Sequence, residues 1–414
     1  MCRRRTRGTR WVRITHQGQE TGLKRVLFHV QHLLGIGHLR RATILAEALV
    51  QRGFEVTIAS GGIPVPGLEA TCEVIQLPAL QVRDVASFTL LDALGRRAGW
   101  RFRRRRRRAL LALLKRLDPA VLVVEMFPFG RLKLATELVP LLYAAGRRGC
   151  LRVSSMRDIA VPKPHASGNR LMIRFAQRLF DRLLIHGDPR LGTLEQSLET
   201  AAALRDRLEY TGYVASPGTR APAPVRDGGV VVSVGGGSVG GQVLRTALAA
   251  RPLSRFAHRP MRLLCGPNLP ASERAALRRM APPEVLVEDH RSDLPALLAR
   301  AEASVSQAGY NTSVELLASR VPAVLVPFSA AGESEQPLRA RWLAARGLVQ
   351  LVPENNLSPA TLAAALDRAQ PPPICPSGID LGGAQRTAEL LWDAVADPSV
   401  GRRIPCPRQD PASA

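Results

Sequence analysis

Arg25-Val-Leu-Phe-His-Val30 leads through Leu33-Leu-Gly-Ile-Gly-His38 into Leu39 to Arg52, which carries apolar residues at helical spacing; Phe54-Glu-Val-Thr-Ile-Ala59 follows Gly53. The first run is short and nearly continuously apolar, the mark of a strand buried on both faces. The paired glycines permit a tight reversal, and Gly53 is placed to cap a helix C-terminus. Strand, glycine loop, helix and strand within about 35 residues make a βαβ unit.

The alternation continues outward from this unit. Ala120 to Val124, Cys150 to Ser154 and Arg182 to Ile185 read as strands, and Leu132 to Ala145 as a helix. Repeated βα units imply a parallel sheet covered by helices. Residues 217–228 are rich in proline and glycine and form the best interior linker. The pattern then restarts with Gly229-Val-Val-Val-Ser-Val234, a glycine loop, a helix, and strands at Met261–Cys265, Val285–Val287, Ala303–Ser306 and Pro322–Val326. The expectation is therefore an α/β chain of two Rossmann-like βαβ domains, residues 24–216 and 229–397, facing each other across a cleft. Residues 1–23 read as a basic, disordered extension and 398–414 as a frayed tail.

Composition bounds the function. The 414 residues are 46% hydrophobic and 22% charged, which excludes a wholly disordered chain. The formal charge is +24, and lysine occurs only at Lys24, Lys115, Lys133 and Lys163, so the excess is arginine. Cysteines at 2, 72, 150, 265, 375 and 406 form no CxxC pair, so neither a zinc ribbon nor a disulfide framework is expected. No signal-peptide or membrane-spanning pattern is found, which makes the cytoplasm the expected compartment. The run Arg101 to Arg108 reads as a solvated helix face, or as a contact with anionic lipid at the inner face of the membrane. Too few aromatics interleave it for nucleic acid.

Each domain begins with a glycine loop. In the first, Gly35-Ile-Gly37-His38 lacks the third glycine of a dinucleotide fingerprint, because Arg40 stands there. His38 falls at the helix start, in the crevice where open α/β sheets bind ligands, and can take a proton from a hydroxyl at neutral pH. The second loop contains Gly235, Gly236, Gly237, Ser238 and Gly240, without the Gly-Lys-Ser/Thr of a Walker loop. Its amides and the following helix N-terminus suit the diphosphate of a sugar nucleotide. Further on, Ser306-Gln-Ala-Gly309-Tyr-Asn311-Thr312-Ser-Val-Glu315 puts a glycine after a strand, Asn311 or Thr312 as a helix cap, and Glu315 where it can accept from a ribose diol. Glu335 and Gln336 follow the next strand and offer acceptors and an amide to sugar hydroxyls.

These segments resemble the donor-binding signature of GT-B glycosyltransferases with a family 28 C-terminal domain. The group is related to the lipid-linked N-acetylglucosamine transferase of peptidoglycan synthesis. The matching positions are Gly309, Thr312, Glu315, Pro322, Pro327, Glu335 and Gln336, together with the Gly235–Gly241 loop and Gly35, Gly37 and His38 on the acceptor side. Arg291 falls where the family's backbone meets the nucleotide base. The resemblance implies transfer of a hexose-type sugar, such as N-acetylglucosamine, from a UDP-linked donor to an acceptor hydroxyl with inversion, without cofactor or metal. His29 and His32, three apart across a strand and its exit, point to opposite faces and also suggest no metal site. The departures lie in the first domain: Glu125-Met-Phe-Pro-Phe-Gly130, Ser155-Met-Arg157-Asp158 and His186-Gly-Asp188-Pro-Arg190 resemble a bacterial subgroup of predicted glycosyltransferases. Each follows a strand on the ligand-facing edge, so Glu125 and Asp158 rival His38 as base, and Arg157 is a candidate for holding an anionic acceptor or the departing diphosphate. Alternatively, Arg157, Asp158 and Asp188 form ion pairs at loop ends. A nucleotide-sugar epimerase and a non-catalytic binding protein are the rival functions.

Overall fold

The structure, a computed structural model, describes residues 24–396 except 34, 66, 68–69, 83–88, 217–224, 227, 236–239, 267–268, 290, 292, 331 and 373–377. The expected extension at 1–23, most of the 217–228 linker and the 398–414 tail lie outside the described residues.

Two parallel sheets carry the fold among the described residues. The first comprises β1 (Arg25–Val30), β2 (Glu55–Ser60), β3 (Glu73–Gln76), β6 (Val121–Glu125), β7 (Leu151–Arg157), β8 (Arg182–His186) and β9 (Leu208–Tyr210), in the order β3-β2-β1-β6-β7-β8-β9. β4 (Leu80–Val82) and β5 (Leu90–Asp92) form a separate antiparallel pair. The second sheet comprises β10 (Val230–Ser233), β11 (Met261–Leu264), β12 (Val285–Glu288), β13 (Ala303–Ser306), β14 (Ala323–Leu325) and β15 (Gln350–Leu351), in the order β12-β11-β10-β13-β14-β15. The continuous apolar runs serve both faces, as expected for buried parallel strands. Leu27 belongs to one core, while Val26, Phe28 and Val30 belong to the core on the opposite face. Val231 is likewise separated from Val230 and Val232.

The strand order positions the site. In both sheets the first strand lies between its sequence successor and a later strand, β1 between β2 and β6, and β10 between β11 and β13. Connections leave the C-terminal ends of these central strands in opposite directions, which opens a crevice at the strand ends. His38 follows β1 and Glu125 ends β6; Gly235 follows β10 and Gly309 follows β13.

Two expectations need correction. The helix Gly383–Ala396, assigned from sequence to the second domain, packs on the first. Its Ala384, Ala388, Leu391 and Ala394 join the core formed by β1, β2 and the Gly37–Arg52 helix, and Trp392 meets Phe54 edge-on at 5.2 Å. The apolar spacing fixes a buried stripe but carries no information about which domain it meets. The arginine run is not one solvated face either. On the helix Trp100–Leu117, Arg101, Arg104, Arg105 and Arg108 are exposed, but Arg106 shares the buried side with Leu110, Leu113 and Leu114. Arg106 is held there by Glu137 at 2.9 Å, Gln31 at 2.8 Å and the Gly61 carbonyl at 3.1 Å.

Candidate functional site

His38 is the second residue of the helix Gly37–Arg52, and its ring Nδ1 lies 2.8 Å from Glu125 Oε1. Glu125, fully buried at the end of β6, also accepts from Arg41, one helical turn beyond His38 on the same face. Burial alone would raise the Glu125 carboxyl, but the positive charge of His38 and Arg41 outweighs it and holds the pKa at about 2. Burial lowers His38 to about 4, and the nearby Glu125 only partly offsets it. At pH 7 the ring is therefore neutral. With Glu125 ionised, the ring proton belongs on Nδ1, donated to the carboxylate, and we assign that tautomer from the hydrogen bond. Nε2 is then an acceptor and has no partner among the described residues. A neutral imidazole whose proton-bearing nitrogen is fixed from behind is suited to receive a proton from a hydroxyl.

Glu125, a rival base from sequence, thus stands behind His38 with Oε1 committed to two partners. Asp158, the other rival, is corrected more firmly. Its carboxylate is buried, accepts from Arg339 Nε at 2.8 Å and from the Tyr213 hydroxyl at 3.2 Å, and so faces no cleft. Arg157 pairs with Glu335 at 2.8 Å. Glu335, expected to meet sugar hydroxyls, uses one oxygen for Arg157 and the other for Arg339 at 2.8 Å. These four residues form a charge chain that fastens β7 of the first domain to the helix Glu335–Ala344 of the second. Burial would raise the Glu335 carboxyl, but Arg157 and Arg339 overcome it and bring the pKa to about 2.

The remaining donor-side residues surround the helix Tyr310–Ser319. Gly309 is its N-cap, and a Cβ added there would meet nothing within 4 Å, so the helix start faces open space. No side chain caps this helix. Asn311, expected as a cap, instead donates to the Gly37 carbonyl of the first domain at 3.1 Å, and the Thr312 side chain makes no hydrogen bond among the described residues. Glu315 is paired with Arg40 at 3.1 Å. Gln336 Oε1 accepts from Ala308 N at 3.1 Å and Phe328 N at 3.2 Å, bracing the backbone just before Gly309. Gly235 has a φ of 66°, a left-handed conformation suited to glycine, and also faces open space, as does Gly35. Gly240, at φ 134°, precedes the helix Gly241–Ala250. Gly236, Gly237 and Ser238 lie outside the described residues. Arg291 is tied to Glu288 at 2.7 Å and to Asp293 at 2.8 Å at the end of β12.

Sequence reasoning passed over Tyr310, Arg41, Arg131 and Arg339. The Tyr310 hydroxyl donates to the His186 carbonyl at 2.9 Å and accepts from Val214 N at 3.1 Å. Its ring carries Arg41 at 5.1 Å and Arg339 at 5.6 Å. Arg131 has a φ of 58° and reaches back to the Gln31 carbonyl at 3.0 Å. Burial and the like charges of Arg157 and Arg41 lower it to about 10 against the pull of Glu125, and it has no ion-pair partner among the described residues. The i, i+3 spacing of His38 and Arg41 and the i, i+4 spacing of Glu335 and Arg339 were available signals. Arg131 had none, because its placement depends on the backbone turn after β6. Among the described residues no group of His, Cys, Asp and Glu is arranged to hold a metal ion.

Residues 231–374 match the glycosyltransferase family 28 C-terminal domain. The chain is a GT-B glycosyltransferase. It is 28% identical over 383 residues to the UDP-N-acetylglucosamine--N-acetylmuramyl-(pentapeptide) pyrophosphoryl-undecaprenol N-acetylglucosamine transferase of Rhodospirillum centenum, covering 87% of this chain and 91% of the relative. The transferase of the same description from Xanthomonas campestris pv. campestris is 27% identical over 372 residues, covering 89% and 78%. Among solved structures, Acinetobacter baumannii MurG superimposes with a TM-score of 0.53 at 17% identity, over 89% of this chain and 99% of that one. CalG4, the calicheamicin glycosyltransferase, gives 0.56 at 16% identity over 93% and 100%. The fold expectation is met, and the similarities support transfer rather than epimerisation or non-catalytic binding.

Proposed function

We propose that this glycosyltransferase moves N-acetylglucosamine or a related hexose from a UDP-sugar to a hydroxyl of an anionic, lipid-linked acceptor, with inversion. The carrying observation is that His38, oriented by Glu125 at the crevice of the first sheet, belongs to the same helix start that contacts the Gly309–Glu315 segment of the second. The acceptor oxygen attacks the anomeric carbon while its proton passes to His38 Nε2. The carbon–oxygen bond to the diphosphate breaks, and the departing charge is met by amides at the Gly235 and Gly309 turns and the helix behind Gly309. Burial of the forming imidazolium is offset by Glu125. Arg131, a cation without an ion-pair partner among the described residues and close enough to Glu125 to feel its charge, supports an acceptor that carries negative charge.

Thermal unfolding with a panel of nucleotides and nucleotide sugars tests the donor. UDP or a UDP-sugar at 100 times its Kd should add about 2.7 kcal/mol of stability, and Glu315→Ala should abolish the shift. No shift with any uridine, guanosine or thymidine diphosphate sugar removes the donor site.

No helix among the described residues is long and apolar enough to cross a membrane. For access to a lipid-linked acceptor we place the enzyme at the cytoplasmic membrane face, through the helix Trp100–Leu117. Trp100 is 66% exposed beside the exposed arginines, and a groove of about 480 Å³ is lined by Arg97, Trp100, Arg103, Arg104, Arg107 and Thr136. Vesicles containing phosphatidylglycerol should co-sediment the protein, and changing Arg101, Arg104, Arg105 and Arg108 to Gln should release it. Equal binding by the variant rejects this face. Arg106 is left unchanged because it is buried.

A further inference from the structure

Arg40 and Arg41 are neighbours with opposite circumstances. Arg41 is buried and fixed on Glu125. The Arg40 side chain is 23% exposed and makes a single polar contact among the described residues, Nη2 to Glu315 Oε1 at 3.1 Å, across the two domains. Beside it, Asn311 Nδ2 donates to the Gly37 carbonyl. Two residues of the donor site are thus engaged by the helix start that carries His38. Glu315 is almost wholly buried; burial pushes its carboxyl up and Arg40 draws it back down.

The ion pair lies on the helix that starts at the Gly309 turn, the segment assigned to the donor. Glu315 is five residues beyond Tyr310, about 7.5 Å along the helix axis from the first turn at 1.5 Å per residue. A swing of an arginine side chain covers that distance. At the far end of it lie the Gly309 turn and the free amides that meet a diphosphate. A guanidinium binds phosphate oxygens in a bidentate fork, which a single carboxylate oxygen contact at 3.1 Å does not match. A ribose diol donates two hydrogen bonds to a carboxylate and so substitutes for Arg40 on Glu315.

We propose that Arg40 is a donor-binding residue passed from Glu315 to the diphosphate. The ribose takes Glu315, the released guanidinium takes the phosphates, and the first domain thereby senses the donor through the helix that bears the base. The proposal rests on the donor site described above and adds a ligand contact from the opposite domain.

Calorimetric titration with uridine and with UDP separates the two. In Arg40→Ala, Glu315 is already released, so uridine should bind about 10-fold more tightly. The advantage of UDP over uridine should shrink by about 10-fold in the same variant, because the phosphates lose their cation. Glu315→Gln should act in the opposite sense, weakening uridine while preserving or enlarging the UDP advantage. Arg40→Lys should retain part of that advantage, since a point charge replaces the fork. Uridine affinity that is unchanged or weaker in Arg40→Ala, or an unchanged UDP-to-uridine ratio, overturns the exchange while leaving the donor site standing. A wild-type protein that binds neither uridine nor UDP overturns the uridine-diphosphate donor site itself, and the exchange with it.

Discussion

Turnover of His38→Ala is expected to fall by about 10²–10⁴-fold, the usual worth of a positioned base, while UDP-sugar affinity stays nearly unchanged. The separation follows from position: the ring faces the cleft from the first domain, and the residues assigned to the donor, Arg40 apart, lie on the second. Glu125→Gln should lower turnover as well, by a different route. Arg41 donates to the same oxygen as His38, so the amide oxygen keeps that place and the Nδ1–H tautomer, and what is lost is the negative charge that offsets the forming imidazolium. The pH profile supplies a second reading. Burial lowers His38 to about 4, so the protonated, inactive ring accumulates only near that value. Its contribution to kcat/KM should remain flat from pH 8 to about 5.5 and be lost as the pH falls towards the folded-state pKa. Unchanged turnover in His38→Ala removes the residue from the mechanism. A midpoint near 6.5 in wild type that disappears with His38 would show the ring to be solvated rather than held.

Arg339→Ala is expected to lower folding stability by about 3–5 kcal/mol, because it strands the buried Asp158 carboxylate without its cation and leaves the buried Glu335 with Arg157 alone. The side chain also donates to the Ala308 carbonyl at 2.8 Å, so its loss loosens the turn before Gly309. Denaturant unfolding measures the loss. Asp158→Asn provides the chemical control: the amide weakens the same chain, so stability should fall, while turnover per folded molecule should be retained. Turnover abolished at undiminished stability would restore Asp158 as a base. The charge chain joins strands and helices of both domains, so the two variants should share part of their cost and add to less than their sum.

Much of the fold was written locally. The run Arg25–Val30 and its repeat at Val230–Ser233 announce buried strands because parallel strands covered on both faces need continuous apolar residues. Gly53 ends its helix in the left-handed conformation expected of a glycine cap. The short strands Glu73–Gln76 and Leu208–Tyr210 were not legible, since edge strands of three or four residues carry too little pattern to separate from a loop. Asn311 shows the same limit within the site. Its place near a helix start suggests a cap, but the competing Gly37 carbonyl comes from a residue far away in the chain.

By itself the sequence determined two βαβ domains, glycine turns at the ends of their central strands, and His38 at a crevice, because all of these depend on periodicity and backbone freedom within a few residues. Tertiary structure alone decided which charges meet. Glu125 reaches His38 across 87 positions and Asp158 reaches Arg339 across 181, and the order of strands and the docking of two sheets set those encounters. A carboxylate after a strand looks the same in sequence whether it backs a histidine, closes an ion pair or faces a ligand. Its partner and its burial separate those roles, and both arise only when distant segments pack.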